Sequence, residues 1–438
     1  MSENGMKNGL SRRQFLTMAG VVGVGAAGAI GLAGCGSSAA SGSAASSEAV
    51  SSAAAAAGLD IENWDSVLEA AKGQTVNVNM MTGADMGAWM NKVIGPRIEE
   101  LGIKWNLTMA ANTVDVVNLI SSEMNAGKTE GGSVDVCWIN GENFSNLMDA
   151  GYLYGPILDV LPSFQFCNLD DPNTTRDSGR DTEGYEVPFQ SIWDVFWANT
   201  DVIPESEFPK DADSFKALVE KYPGKFTYAN LGNYKGTYFV NTIINAVCGK
   251  EVWDRVSSEK IEKEELKTLI EPALQYLRDL APNLWNKGAS YPADGDQMLQ
   301  LFADGEIAML FETTMPQGAM DEGTAPASTR PFFLESGAIH DIWYMAIPKN
   351  AGNLAAALVT VNEIMKPVIQ VSQFEAVGYY PFTPYDMMDA EGKAAYDEIK
   401  WTDGLIEPTK MDPYAIANIH GQNNDTLEEI WTEEVNGK

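Results

Sequence analysis

Between Thr75 and Ala150 the hydrophobic period switches back and forth, and that alternation restricts the fold more than any other feature of the chain. Thr75-Val76-Asn77-Val78-Asn79-Met80-Met81 alternates in the manner of a half-buried strand. A turn over 82–87 leads to helical spacing over 88–100, with a break expected at Gly95-Pro96, because proline lacks the N–H that a helix interior needs. Residues 103–109 read as strand, 113–125 as helix, 134–139 as strand and 142–150 as helix. Strands separated by helices of this length form βαβ units and a parallel sheet. Ligands of such sheets bind beyond the carboxyl ends of the strands, so the loops 82–89 and 138–144 should share one mouth. An amphipathic helix over 59–73 presents Trp64, Val67, Leu68 and Ala71 on one face ahead of the first strand.

A second set of elements follows an Asp/Pro/Thr-rich run at 168–181: strand 187–199, helix 211–221, strand 226–229, helix 237–247, a long charged helix 259–280, helix 296–303 and strand 306–311. A strand over 342–348 then precedes an alanine-rich helix over 353–365, with Asn350 or Asn353 placed to cap it. At 438 residues two domains are expected, and no internal repeat is visible.

The N-terminus is an address. Ser11-Arg12-Arg13-Gln14-Phe15-Leu16 opens a stretch without charge to Gly34, a basic start and a short apolar run, and its paired arginines resemble a twin-arginine export signal. The run ends in Leu32-Ala33-Gly34-Cys35, which resembles a bacterial lipobox, so residues 1–34 are expected to be removed and the Cys35 thiol to take a lipid. The apolar run is short and glycine-rich for a membrane span. Every residue of 36–57 except Glu48 and Val50 is Gly, Ala or Ser, and 35–58 therefore reads as a lipidated tether with a reach of about 25 Å. Gly23-Val24-Gly25-Ala26-Ala27-Gly28 matches a dinucleotide fingerprint, but no strand precedes it; Ala126-Gly127-Lys128-Thr129 lacks the upstream glycine of a P-loop.

Lys+Arg 29 against Asp+Glu 61 gives a net charge of −32, which argues against nucleic acid and against docking on anionic lipid headgroups, leaving the anchor as the only membrane contact. Two histidines and four cysteines offer little for a metal centre, and none is expected. Cys137 should be buried at a strand end, whereas Cys167 and Cys248 could pair or stay free.

The lipobox, the tether and two successive α/β units resemble the extracellular solute-binding proteins of ABC importers with type II topology, a group that includes maltose, thiamine, polyamine and ferric-iron binders. Several stretches are similar to its YnjB-type branch: Val134-Asp135-Val136-Cys137-Trp138-Ile139-Asn140-Gly141-Glu142-Asn143-Phe144, Pro223-Gly224-Lys225-Phe226-Thr227-Tyr228, Leu284-Trp285-Asn286-Lys287-Gly288-Ala289-Ser290-Tyr291-Pro292 and Asp304-Gly305-Glu306-Ile307-Ala308-Met309. The resemblance implies an α/β, two-lobed fold with crossing hinge strands: lobe 1 from 59–188 plus 338–366, lobe 2 from 189–337 plus 367–438. It further implies a monomer without cofactor or catalytic residues that passes its solute to a permease and its ATPase at the outer face of the cytoplasmic membrane.

A closing cleft needs rigid apolar surfaces and a few convergent polar groups. Trp89, Trp138, Trp193, Tyr228, Tyr234 and Trp343 fall at expected strand ends or just after them, and Asn140, Glu142 and Asn143 open a helix after a strand, where backbone N–H groups are free. Glu312 follows the strand 306–311, where the resemblance implies ligand contacts. Each has a plainer reading: Trp138 can serve the core, Glu142 can cap its own helix, and Asn140 can serve the turn. Tyr379-Tyr380, which resembles the iron-binding tyrosine pair of some relatives, reads as structural, as do His340 and His420. Net acidity favours a cationic or neutral solute, with thiamine- or polyamine-like cations ahead of carbohydrate or metal chelate. A secreted hydrolase is the competing class, although G-x-S-x-G, H-E-x-x-H and C-x-x-C are all absent. A solute sensor without transport would share the fold.

Overall fold

A computed structural model describes residues 59–81 and 84–436; the signal segment, Cys35 and the tether lie outside the described residues. The strands are β1 (Thr75–Met80), β2 (Lys104–Met109), β3 (Val136–Ile139), β4 (Glu186–Trp193), β5 (Val195–Asn199), β6 (Met309–Glu312), β7 (Thr329–Phe332), β8 (Ala338–Ala346) and β9 (Ala415–Ile416). In the first sheet they run β9–β8–β3–β1–β2, with β4 also on β8. β1 is parallel to β2 and β3, as the βαβ pattern requires, whereas β8 returns from the second sheet and is antiparallel to β3 and β4. The second sheet is antiparallel, in the order β6–β5–β7. The strand expected at 226–229 is reduced to a parallel bridge between Phe226 and Met309.

Three local expectations give way to tertiary demands. No break occurs at Gly95-Pro96: helix Ala84–Trp89 passes through a π turn, Met90–Ile94, into helix Gly95–Glu100. The wider turn absorbs the extra residue, and Pro96 stands near the start of the next segment, where a missing N–H costs nothing. The single strand expected over 187–199 is split at Asp194, whose N–H donates to Ile339 O at 3.0 Å as the chain passes from β4 into β5. The long helix expected over 259–280 begins only at Lys263, because Glu259 and Glu262 are extended, and a separate helix that was not expected, Lys250–Ser258, precedes it.

Asn353 takes the N-cap position of helix Leu354–Ile364, yet its side chain makes no cap bond. Its N and Nδ2 donate instead to the fully buried Asp135, at 2.8 and 3.1 Å, and Asn77 N and Nδ2 donate to the same carboxylate at 2.8 Å each. Four donors offset the cost of burying that charge, and they tie β1, β3 and the returning helix together.

One core fills the first sheet and includes Val76, Val78, Ile98, Tyr344 and Leu358; a second surrounds Phe196, Phe215, Phe239, Leu274 and Trp431. Trp193, Val195, Trp197, Phe374 and Tyr380 belong to a third cluster around the crossing. There the backbones of Ser191 and Tyr380 exchange hydrogen bonds of 2.9 Å in each direction. Cys137 and Cys167 are buried and Cys248 is half-buried, and none is in a disulfide. Among the described residues no single helix is long and apolar enough to cross a membrane.

Candidate functional site

Strand pairing decides which side chains meet at the crossing. On β8, Asp341, Trp343 and Met345 share one face, and directly paired residues share a face too. Gln190 pairs with Trp343, Ile192 with Asp341 and Trp138 with Met345, so Trp138, Gln190, Asp341 and Trp343 lie on one surface. The Trp138 and Trp343 rings meet edge to face at 5.4 Å, and Trp343 lies tilted against Tyr379 at 5.5 Å.

Helix Tyr234–Cys248 approaches from the second sheet. Asn233 Oδ1 accepts from Lys235 N at its start, and Tyr234 and Tyr238, one turn apart, stand at 5.7 Å in a T-shaped pair. Tyr238 Oη donates to Asp341 Oδ2 at 3.0 Å, and Asn418 Nδ2 donates to the same oxygen at 3.4 Å. At the end of β6, Glu312 takes the Lys235 ammonium at 2.5 Å and the Thr313 N–H at 2.8 Å.

Asp194 stands apart from these answered carboxylates. It is 2% exposed, and neither of its oxygens has a hydrogen-bond donor from the chain. Burial holds its carboxyl well above the usual range; the charges of Asp341 and Glu312 push the same way, and only Lys235 opposes them. Asp341 is also raised, by burial first, with the Tyr238 hydroxyl pulling it back. Nearby, Trp138 Nε1, Gln190 Nε2 and Gln373 Oε1 are buried without partners, although Gln373 Nε2 reaches Gln190 Oε1 at 3.1 Å. An uncompensated carboxylate among aromatic rings suits an organic cation, which gains charge pairing and ring-face attraction together. Among the described residues no three Asp, Glu, His or Cys side chains gather closely enough to hold a metal ion.

A hairpin ties the two halves together beside this surface. Arg176–Asp177 pairs with Arg180–Asp181 around a turn in which Ser178 and Gly179 have φ of +47° and +78°. Its base is held to helix Gly141–Asp149: Asp177 Oδ2 accepts from Gly141 N, and Arg180 Nη2 reaches Asp149 at 2.7 Å. Its tip meets the other half, where Gly421 N donates to Ser178 O at 2.7 Å. Between the hairpin and helix Lys250–Ser258 lies a recess of about 510 Å³ that Asp341 helps to line.

Of the residues expected from sequence, Trp138, Tyr234, Glu312 and Trp343 come together. Asn140, Glu142 and Asn143 open helix Gly141–Asp149 beside the hairpin; Asn140 makes no cap bond and Glu142 is exposed. Three others are elsewhere. Trp89 is buried in the first core, its indole N–H donating to Ser372 Oγ at 3.1 Å. Tyr228 is buried in the second core, where its hydroxyl accepts from Trp431 Nε1 at 3.1 Å. Trp193 stacks on His340 at 4.3 Å and lines a cavity of about 390 Å³ on the opposite face of the crossing, where His340 Nδ1 is 3.2 Å from Asp171 Oδ2. Position at a strand end does not report which face a side chain takes, and a one-residue step separates Trp193 from Asp194.

Sequence reasoning missed Asp194, Gln190, Lys235, Tyr238 and Asp341. A signal was present for the first: Asp194 is the lone charge in Ile192-Trp193-Asp194-Val195-Phe196-Trp197, and a carboxylate inside an apolar aromatic run needs a partner. The Tyr379-Tyr380 pair divides, since Tyr380 packs in the crossing cluster and donates to Ile406 O at 2.9 Å, while Tyr379 faces Trp343.

Residues 98–394 match the sequence pattern of the family described as bacterial extracellular solute-binding protein. The chain belongs to that family. Protein YnjB of Escherichia coli strain K12 is 28% identical over 317 residues, which cover 70% of this chain and 79% of that protein. Among solved structures, an ABC transporter protein from Clostridium perfringens superposes with a TM-score of 0.60 at 14% identity, over 82% of this chain and 100% of that one. The spermidine/putrescine ABC transporter substrate-binding protein PotD of Streptococcus pneumoniae gives 0.55 at 14% identity, over 83% and 100%. These likenesses place the chain in the two-lobed type II periplasmic-binding fold, with crossing strands between the lobes. The protein is a bacterial extracellular solute-binding protein.

Proposed function

We propose that the protein is a lipid-anchored receptor which closes two lobes on a small organic cation outside the cytoplasmic membrane and delivers it to an ABC permease and its ATPase. The observation that carries this reading is Asp194, a buried carboxylate without a donor at the crossing between the sheets, beside the Tyr234 and Tyr238 pair. Lobe 1 supplies Trp138 and Trp343, the crossing strand β4 supplies Gln190, and lobe 2 supplies Tyr234, Lys235 and Glu312, so a solute that touches both lobes favours the closed form by the energy of the contacts made only there. The hairpin tip at Ser178 and Gly179 would clasp the closed form. Cys35 would carry the lipid, and residues 36–57 the reach to the permease.

Thermal unfolding of the purified protein against thiamine, polyamines, sugars, amino acids and iron chelates tests the reading. A compound at about a hundred times its dissociation constant should add about 2.7 kcal/mol. A cation that shifts the midpoint and is recovered unchanged supports capture, whereas a compound consumed on incubation would favour the hydrolase. Tight binding of a phosphate- or sulfate-sized anion would refute the cation preference. Cys35→Ala should move the protein from the membrane to the soluble fraction.

A further inference from the structure

The carboxylates at the crossing differ in how the chain answers them, and that difference bears on how much charge a solute can bring. Glu312 already holds an ammonium, that of Lys235, at 2.5 Å, together with the Thr313 N–H. Asp341 is met by the Tyr238 hydroxyl and the Asn418 amide. Asp194 alone of the three receives no donor on either oxygen, at 2% exposure. A buried carboxylate in that state is costly until a cation or a proton reaches it. The same surface holds a second kind of unmet group: the Trp138 indole N–H and the Gln190 amide N–H₂ are donors, buried and without acceptors. Donors of that kind repel an ammonium and require an oxygen or another acceptor.

We infer that the solute of this site carries a single positive centre, bound at Asp194, and a hydrogen-bond acceptor that the N–H groups of Trp138 and Gln190 receive, with Lys235 excluding a second positive charge by occupying Glu312. The inference rests on the reading of the crossing as the solute site and narrows it. A diamine of the same length would bring its second ammonium either to Lys235, a like charge, or to the donors of Trp138 and Gln190, and both encounters are unfavourable. An amino acid or betaine matches both ends. Lys235 is therefore a specificity-determining residue: it separates compounds by their charge and makes no chemical step.

The test uses the full-length protein in detergent and two matched series. 4-Aminobutyrate, butylamine and putrescine share a four-carbon chain and differ only at the far end; glycine betaine and tetramethylammonium make the second comparison. Dissociation constants come from calorimetry, with unfolding midpoints measured beside them. In at least one series the member with an acceptor should bind at least ten-fold more tightly than its partner without one, and putrescine should bind more weakly than 4-aminobutyrate. Asp194→Asn should lose at least a hundred-fold in affinity. Trp138→Phe, which removes only the N–H, should narrow the gap between 4-aminobutyrate and butylamine. Lys235→Met, which frees Glu312, should raise putrescine affinity at least ten-fold and leave butylamine within three-fold. Putrescine binding more tightly than 4-aminobutyrate to the unaltered protein, or a Lys235→Met variant with no gain for putrescine, would overturn the inference while leaving solute capture intact. Calcium chloride alone raising the midpoint would overturn it in favour of a metal. No shift with any member of either series would overturn it too, and a midpoint shift with thiamine, a sugar or an iron chelate in the wider panel would then show that capture itself survives.

Discussion

Gly179→Val should unclasp the lobes. Gly179 has φ of +78°, and a Cβ there would lie 2.6 Å from Ser257 O and 2.7 Å from His420 Cδ2, approaches that real Cβ atoms do not make. The tip must then withdraw from the other half and break the hydrogen bond from Gly421 N to Ser178 O, a net loss of about 1 kcal/mol. Holding a side chain at positive φ costs about 1–2 kcal/mol more, and that part burdens the hairpin whether or not the lobes are together. Contact loss and overlap weigh against the closed arrangement alone, by about 2 kcal/mol, roughly a thirty-fold shift in the closed-to-open ratio. X-ray scattering and spin-label distances between Asn146 and Glu251, exposed on helices of the two halves, measure it. The variant should show a larger radius of gyration and a longer distance distribution. Gly421→Pro removes the donor at the first position of a 3₁₀ turn, where the ring is tolerated, and should move the distance in the same direction. A Gly179→Val protein with an unchanged distance distribution and only a lower unfolding midpoint would refute the clasp.

Other outcomes follow from buried groups. Asp177 is pushed up to about 7, by burial first and then by Asp341, so the native form keeps a proton that the unfolded chain releases above about pH 4. Stability should therefore fall as pH rises from about 4 to 7, by at most on the order of 4 kcal/mol from this group, and Asp177→Asn should flatten that slope in urea titrations. Glu186, raised by burial and by Asp177, acts in the same direction. Burial pushes the Cys137 thiol up to about 12 and Cys167 higher still, so in the native protein maleimide should react with Cys248 well before either, and denaturant should release both. Phe196→Ala should cost about 3–5 kcal/mol in chemical denaturation, because its ring packs against Phe215, Phe311 and Phe332 at 4.9 to 5.0 Å.

The pattern of elements in the first sheet was legible because it is local. Alternation at 75–81 and the helical period at 113–125 are properties of short windows, and β1 with helix Thr113–Asn125 lies where they indicate. The site was half legible. Aromatics after strands flagged Trp138, Tyr234 and Trp343, but the same rule gave Trp89, Trp193 and Tyr228, whose indole N–H or hydroxyl groups, or ring faces, are satisfied by Ser372, His340 and Trp431 from distant segments. Nothing in a window of ten residues reports that a partner arrives from 147 to 283 residues away.

The alternation of strands and helices in the first sheet and the acidic charge were determined by the sequence alone, since each depends on neighbouring residues or on composition. The tertiary structure decided which of Asp194, Glu312 and Asp341 is left unanswered. Lys235 reaches Glu312 and Tyr238 reaches Asp341 only because helix Tyr234–Cys248 packs against the end of β6 and the middle of β8. Asp194 acquires its chemistry by being passed over, since the cost of a buried charge depends on donors brought together from across the fold.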